Sequence, residues 1–242
     1  MAIQITTTEG IGTDKVKILI YGGSSMGKTT LLGGLRGKTL IISAEAGLLV
    51  LRDKKIDVAE VKNLDDFKEV FIGLKDGTLK YDNVAIDSLT EVADMLIDEL
   101  SADEYYGNPS NAFVLWKEYS NQLSKIVKAF RNLPVNVIFT ALEDSLEENG
   151  MIVKTANIQG KSVKSKLMSL FDEFYRLHSD KEGNRFLSTT STNIYQAKSR
   201  AGVFDKEIPV PEGTDVLGDI LEKIANSCKK LTTEANSRLE IN

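Results

Sequence analysis

Two spacings of hydrophobic residues alternate along this chain. Short runs that are almost wholly apolar, such as VKILIY and TLIIS, alternate with stretches in which apolar residues recur every three or four positions. The runs are typical of buried strands, and the second spacing is typical of amphipathic helices. The strands predicted from the first part of the chain are 16–21, 39–43, 58–61, 83–87 and 135–140.

Capping residues and a helix breaker mark the ends of the predicted helices. Asn63, with Asp66 three positions later, can cap one helix. Ser88 and Glu91 form a capping-box pattern at the start of another. Pro134 closes a third, because the residue before a proline avoids the helical region. The predicted helices are 28–35, 64–74, 89–100 and 113–133.

The order of these elements predicts an α/β fold with a mainly parallel sheet flanked by helices, because parallel strands need a long return path. After the fifth strand the pattern changes to short strand-like runs, which we interpret as antiparallel strands added at the C-terminal side. These runs are 151–154, 173–178, 185–189 and 193–198. We expect one domain over residues 1–228 and a polar C-terminal tail over 229–242.

Composition narrows the class of protein. A chain of 242 residues with 42% hydrophobic content can bury one sizeable core. No apolar run of about eighteen residues occurs, and the N-terminal segment does not resemble a signal peptide, so we expect a cytoplasmic protein without membrane contact. Cys228 and His178 are the chain's one cysteine and one histidine, which nearly excludes a zinc centre. With a net charge of −5, contact with nucleic acid would need a local patch of Lys and Arg.

A phosphate-binding motif directly follows the first predicted strand. Residues 22–29 match G-x-x-x-x-G-K-[ST] and open a predicted helix, which is the context that this motif requires. The glycines let backbone N–H groups point at a phosphate, Lys28 would meet the β- and γ-phosphates, and Thr29 would offer its hydroxyl to Mg²⁺. The alternative is a Gly/Ser-rich turn before an ordinary helix. The predicted nucleotide-binding residues are Gly22, Gly23, Ser24, Ser25, Met26, Gly27, Lys28, Thr29 and Thr30.

Two acids lie at or just after the C-terminal ends of predicted strands. Asp87 closes the run NVAID, where a buried charge is costly unless a cation or donor meets it, and we predict that it holds the metal together with Thr29. Its alternative role, helix capping, is already filled by Ser88. Glu45 follows TLIISA and would face the same sheet edge as the phosphate loop, where a carboxylate can orient water for attack on the γ-phosphate. The alternative for Glu45 is the solvated start of a loop.

These motifs in this order, GGSSMGKTT, SAEAG and NVAIDS, resemble the ATPase core of the RecA family over residues 16–211. The resemblance implies ATP hydrolysis, with Glu45 as the catalytic base and Asp87 serving the metal. Without the flanking domains of full-length recombinases, the chain is similar to phage-borne, core-only RecA-like ATPases associated with single-strand annealing and recombination. That group implies a host-cytoplasmic homo-oligomer, ring or filament, which acts on single-stranded DNA and has a single-strand-binding protein as a candidate partner.

The resemblance extends to a pair of cations and has one departure. Lys198 and Arg200 lie two positions apart near the end of a predicted strand, so a strand would point both to one face. In RecA-like and hexameric-helicase ATPases a similarly placed pair reaches the neighbouring subunit's γ-phosphate, which implies a catalytic role in trans; the alternative is two solvated cations. Where RecA has an Asn-Gln switch, this chain has Thr140-Ala141. Either the ATP state and DNA affinity are not coupled, or their coupling passes through Thr140 or Glu143.

Two stretches correspond to the DNA loops of RecA, namely 102–111 and 143–166. The first carries Tyr105 and Tyr106, which can stack on bases. The second begins acidic and then turns basic, and lysines there would engage DNA phosphates. The predicted DNA-binding lysines are Lys154, Lys161, Lys164 and Lys166. The alternative is that the lysines are solvated and the tyrosines pack.

Two other functions stay open at this point. A helicase or helicase loader has a similar core, and strand displacement would distinguish it. A nucleotide-locked oligomeric DNA-binding module with little turnover is the second, and the intact Lys28 and Glu45 argue against it.

Overall fold

The computed structural model describes residues 15–45, 47–148 and 150–239. The strands are β1 (Lys17–Gly22), β2 (Thr39–Ser43), β3 (Asp57–Glu60), β4 (Asn83–Asp87), β5 (Asn136–Glu148), β6 (Met151–Ala156), β7 (Glu173–Ser179), β8 (Arg185–Ser188), β9 (Lys198–Ser199) and β10 (Glu207–Pro209). The helices are α1 (Lys28–Leu32), α2 (Leu64–Asp76), α3 (Leu89–Ala102), α4 (Ala112–Arg131), α5 (Lys161–Leu167) and α6 (Val216–Leu239), with 3₁₀ turns at Leu48–Leu51, Pro109–Asn111 and Met168–Leu170.

The described strands form one sheet in the order β10-β8-β7-β1-β5-β4-β2-β3, with β6 beside β5 and β9 beside β7. All neighbours from β7 to β3 in this order are parallel. The pairs β7–β8, β8–β10, β7–β9 and β5–β6 are antiparallel. The prediction of a mainly parallel α/β sheet with antiparallel strands at the C-terminal side is confirmed.

Both faces of the central strands are covered, which explains why β1 is apolar at nearly every position. Leu19 and Tyr21 point to one face and pack with α2, α3 and α4. Ile18 and Ile20 point to the other face and pack with α1 and α6. Because successive strand residues alternate between faces, a strand buried on both sides loses its polar alternation.

The predicted caps of α2 and α3 are confirmed. The Asn63 side chain accepts a hydrogen bond from the backbone N–H of Asp66 at 2.9 Å. Ser88 Oγ accepts from the N–H of Glu91 at 3.5 Å. Each cap satisfies an N–H group that has no partner inside its helix, so these starts are encoded locally.

Three predicted elements differ in the structure. The run 173–178 was expected to be antiparallel, but β7 is parallel to β1, because the chain crosses back through α5 before it enters the sheet. Of 193–198 only Lys198 is in a strand; the rest is a loop held by Ser191 Oγ, which bonds both the N–H and the carbonyl of Ala197. Helix α1 ends at Leu32 and not at the predicted residue 35, because Gly33 and Gly34 follow Leu32 and glycine disfavours a helix.

The stretch 143–166, which corresponds to a DNA loop of RecA, is mostly regular structure, and the antiparallel strand predicted at 151–154 is confirmed as part of β6. Strand β5 continues past residue 140 to Glu148, because it gains an antiparallel partner in β6, and α5 follows. This segment is therefore a β-hairpin and a helix.

The C-terminal part of the described chain is helical. Helix α6 crosses the predicted boundary at residue 229 and continues to Leu239. The predicted domain and tail also include residues 1–14 and 240–242, which lie outside the described part, so the division of the chain stays a prediction. None of the described helices combines the length and apolar character that crossing a membrane would require.

Candidate functional site

The parallel strands β1, β2, β4 and β5 run in one direction, so their C-terminal ends share one edge of the sheet, here called the carboxyl edge. Ser43 is in register with Asp87, and Gly22 is in register with Leu142. The loop after β1, the residues after β2 and the last residue of β4 therefore meet at this edge. Ligands of open α/β sheets bind at such edges.

The loop between β1 and α1 has the backbone that its glycines predict. Gly27, the N-cap of α1, has φ 95°, and Ser25 has φ 61°. Gly22 leaves β1 so close to its neighbour strand that a Cβ there would lie 2.5 Å from the carbonyl oxygen of Leu177. Glycine is therefore required at Gly22 for space and at Gly27 for conformation.

Lys28 is buried and turned back onto the loop. Its Nζ donates to the carbonyl oxygens of Gly22 at 3.0 Å and Gly23 at 2.8 Å. Burial lowers the pKa of Lys28, while the negative charges of Glu45 and Asp87 oppose that shift. An anionic phosphate in the loop would offer the ammonium a stronger partner than these neutral carbonyls.

Asp87 joins the phosphate loop to β5. Thr29 Oγ1 donates to Asp87 Oδ2 at 2.8 Å, and Thr140 Oγ1 donates to Asp87 Oδ1. Helix α1, through Thr29, and strand β5, through Thr140, therefore both contact the Asp87 side chain at the end of β4. Asp87 is only 2% exposed. Thr140, which marked the departure from RecA, here holds the predicted metal ligand in place.

The Thr29–Asp87 pair fits a magnesium ion in its chemistry. It supplies one hydroxyl and one carboxylate, the hard oxygen donors that Mg²⁺ prefers, and Mg²⁺ in nucleotide sites completes its shell with phosphate oxygens and water. Among the described residues there is no group of three or more His, Cys, Asp or Glu side chains that could hold a metal.

Glu45 is held beside this pair by β2 and α3. The N–H of Ala44 donates to the Asp87 carbonyl at 2.9 Å, and Ser43 Oγ donates to the Glu45 carbonyl at 2.7 Å. Ser88 Oγ, which caps α3, also donates to Glu45 Oε1. Burial and the charge of Glu45 raise the pKa of Glu91 in the first turn of α3. The predicted catalytic acid is therefore at the carboxyl edge.

Arg185 is a residue at this site that the sequence did not predict. A Cβ built on Gly27 would lie 2.5 Å from Arg185 Nη1, so the guanidinium rests on the phosphate loop. Arg185 also forms an ion pair with Glu212 at 3.6 Å. It is in register with Ser179 on β7, which is the carboxyl end of that strand. No local motif marks Arg185; only the order of the strands brings it here.

Lys198 and Arg200 lie elsewhere in their own chain. Strand β9 pairs with the first residues of β7, at the end of the sheet opposite to the phosphate loop. Lys198 Nζ donates to the carbonyl oxygens of Met168 at 2.6 Å and of Phe171, and burial lowers its pKa to about 8. Arg200 forms an ion pair with Asp172 at 3.2 Å.

Two of the four predicted DNA-binding lysines have acidic partners. Lys164 pairs with Asp144, and Lys154 Nζ lies 3.7 Å from a carboxylate oxygen of Glu143. The acidic start of the 143–166 segment thus pairs with its basic end, because the β5–β6 hairpin and α5 bring them together. Lys161 and Lys166 are exposed.

The two tyrosines that were predicted to stack on bases differ in their exposure to solvent. Tyr105 is 59% exposed, whereas Tyr106 is partly buried against the core. Their rings contact each other edge to face at a centroid distance of 5.3 Å. Only Tyr105 of the two presents a large free surface.

A family model described as an AAA domain matches residues 14–201, which is more than half of the chain and includes the phosphate loop, Glu45, Asp87 and Thr140. No curated protein matches the chain.

Proposed function

This chain belongs to the AAA domain family of nucleotide-binding ATPases, and from that premise we propose that it hydrolyses ATP in a Mg²⁺-dependent reaction at the carboxyl edge. The observation that carries the proposal is the 2.8 Å bond between Thr29 and Asp87, beside the buried Lys28 and the anchored Glu45. A phosphate loop alone indicates nucleotide binding. The two acids add what hydrolysis requires.

Each residue has a distinct task in this proposal. Lys28 leaves the loop carbonyls and donates to the β- and γ-phosphates, while the loop N–H groups bind the same oxygens. Asp87 and Thr29 would hold Mg²⁺, which would neutralise charge on those phosphates. Glu45 orients a water and accepts its proton as the water oxygen bonds to the γ-phosphorus and the bond to ADP breaks. Ser88 fixes the direction of the Glu45 carboxylate.

The test separates binding from turnover. We expect Lys28→Ala to lose the thermal stabilisation that Mg·ATP gives the wild type, because its main partner is the phosphate. Glu45→Gln should keep that stabilisation and lose about 100-fold or more in kcat, since an amide cannot accept the proton. Chelation of Mg²⁺ should stop wild-type turnover.

Glu69→Gln is the matched control. Glu69 is an exposed acid in the middle of α2, and its variant should hydrolyse ATP like the wild type. Wild-type turnover in Glu45→Gln would remove Glu45 from the mechanism. Full Mg·ATP stabilisation in Lys28→Ala would remove the phosphate loop.

We also propose that the ATPase acts on single-stranded DNA as a homo-oligomer, in annealing or strand pairing. The resemblance to RecA-like recombination ATPases supports this, together with the exposed Lys161, Lys166 and Tyr105. ATP turnover with and without single-stranded DNA, and annealing of complementary strands, test it. Strand displacement in place of annealing would favour a helicase, and DNA binding without turnover would favour a nucleotide-locked module.

A further inference from the structure

A groove of about 490 Å³ lies between the start of α4 and the start of α5. Its walls include Phe113, Trp116 and Lys117 from α4, and Gly160 and Lys161 at the start of α5. Phe113 is 83% exposed and Trp116 is 41% exposed. Two large aromatic side chains exposed together on one surface are typical of a binding site.

These aromatic residues are not part of the hydrophobic stripe that holds α4 to the core. That stripe consists of Leu115, Tyr119, Leu123, Val127 and Phe130, which are buried at helical spacing. Phe113, Trp116 and Lys117 follow a second stripe on the same helix, because residues three and four positions apart share a face. Folding of this chain therefore leaves the second stripe uncovered.

The tryptophan ring is held in a defined orientation. It contacts the buried Tyr119 edge to face, with centroids 5.7 Å apart and planes at 83°. Gly160 has φ 82°, and a Cβ there would lie 3.5 Å from Tyr119 and 3.8 Å from Trp116. The floor of the groove is thus a packed aromatic pair, which offers a flat ligand a positioned ring on which to stack.

The charge of the groove is unlike that of the chain as a whole. The chain has a net charge of −5, yet among the described residues that line the groove there are two lysines and no acid. Lys117 comes from α4 and Lys161 from α5. Aromatic faces between cations match a ligand with flat rings along an anionic backbone.

We propose that this groove binds single-stranded DNA, with bases stacked on Phe113 and Trp116 and phosphates held by Lys117 and Lys161. Single strands fit better than duplex because the base faces of a duplex are already stacked. This inference rests on the proposed function, and it places the DNA contact on α4 and α5. Of the lysines predicted from sequence, Lys161 belongs to this groove, whereas Lys154 and Lys164 are engaged by acids.

The chain contains a direct reporter, because Trp116 is its only tryptophan. Addition of a thymidine oligonucleotide of about 15 nucleotides should quench the intrinsic fluorescence in a saturable way, since a stacked base lies on the indole. Trp116→Ala should bind a labelled oligonucleotide about 5- to 100-fold more weakly, and Trp116→Phe, which keeps a ring, should recover most of the affinity.

The charge contribution has its own readout. Lys117→Ala with Lys161→Ala should weaken binding and make the plot of log affinity against log salt shallower by about 1.4, because two phosphate contacts are lost. Lys125→Ala with Lys128→Ala, two exposed lysines further along α4, is the matched control and should leave the slope unchanged. Basal ATP turnover without DNA should stay at the wild-type level in all these variants.

The outcomes distinguish this site from the proposed function. If the wild type binds the oligonucleotide but Trp116→Ala binds equally well and no quenching occurs, the groove is not the DNA site and DNA binding itself stands. If the wild type binds no single-stranded DNA, the DNA proposal and the groove both fail, while hydrolysis is still judged by Lys28 and Glu45. A groove that instead takes up a protein partner would show this second outcome.

Discussion

The guanidinium of Arg185 rests on Gly27, so a cation from a late strand contacts the phosphate loop of the same chain. Its ion pair with Glu212 is long, at 3.6 Å, and the Glu212 side chain is 94% exposed. The Arg185 side chain is only 25% exposed, but the length of the pair and the exposure of Glu212 make its contribution to stability small. A phosphate bound in the loop would offer the guanidinium charge-assisted hydrogen bonds in place of this long ion pair.

We expect Arg185→Ala to weaken ATP binding by about tenfold or more while the melting temperature without ligand changes little. Arg185→Lys should recover part of the affinity, because it keeps the charge without the planar fork. Titration calorimetry with Mg·ATP measures both. Lys181 is an exposed cation in the connection between β7 and β8, and Lys181→Ala serves as the control. Unchanged affinity in Arg185→Ala would show that the contact with Gly27 is only structural.

Helix α3 links the nucleotide site to the groove on α4 and α5. Its N-cap, Ser88, bonds Glu45. Two positions on, the buried Thr90 Oγ1 donates to the carbonyl of Asn157 at 3.0 Å, in the segment that leads into α5. Gln159 Nε2 donates to Asp94 Oδ1 on the same helix at 2.8 Å. A shift of α3 on ATP binding would therefore move the wall of the groove that carries Lys161.

From this connection and the proposed action on DNA, we expect single-stranded DNA to stimulate ATP turnover, and Thr90→Val and Gln159→Ala each to reduce that stimulation. Basal turnover and DNA affinity should stay within about twofold of the wild type, because neither residue contacts a ligand. Turnover measured over a DNA titration provides the readout. Thr90→Val leaves buried polar groups unpaired and costs about 1–3 kcal/mol, so Gln159→Ala, whose hydrogen bond is exposed, is the milder variant. Full stimulation in both would exclude α3 as the coupling element.

On the scale of the whole molecule, the position of β9 limits what Lys198 and Arg200 can do. Both lie at the end of the sheet opposite to the phosphate loop and bond the 168–172 segment of their own chain. They cannot meet a nucleotide bound to their own subunit without a large rearrangement. A role at a γ-phosphate would therefore require a neighbouring subunit, as the proposed homo-oligomer would supply.

The trans role predicts complementation between two inactive variants. Lys28→Ala subunits keep both cations but cannot bind the nucleotide phosphates. Arg200→Ala subunits keep the nucleotide site but lack one cation. Mixing the two variants should therefore recover part of the turnover that neither shows alone. A mixture of Lys28→Ala with Glu45→Gln is the control and should stay inactive, because both lesions are in the pocket. Inactivity of the first mixture at every ratio, or wild-type turnover in Arg200→Ala alone, would leave the two cations as structural residues.

Local features of this protein were predictable from its sequence. The double-sided burial of β1, the caps at Asn63 and Ser88, and the phosphate loop up to Thr29 depend on spacings of a few residues, and such spacings have the same meaning in any fold. The placement of Glu45 and Asp87 at one edge also followed, because Asp87 ends a parallel strand and Glu45 closely follows another. Predicting this placement required only the direction in which the strands run, because parallel strands have their carboxyl ends at the same edge of the sheet.

Tertiary structure alone decided which distant residues meet. The parallel direction of β7 depends on the crossover through α5, and the approach of Arg185 to Gly27 depends on β8 lying two strands from β1. The pairing of Lys164 with Asp144 arises because β5 continues into a hairpin. Strand order and register are set by how all the faces of the sheet are covered at once, so no single segment of the sequence contains them.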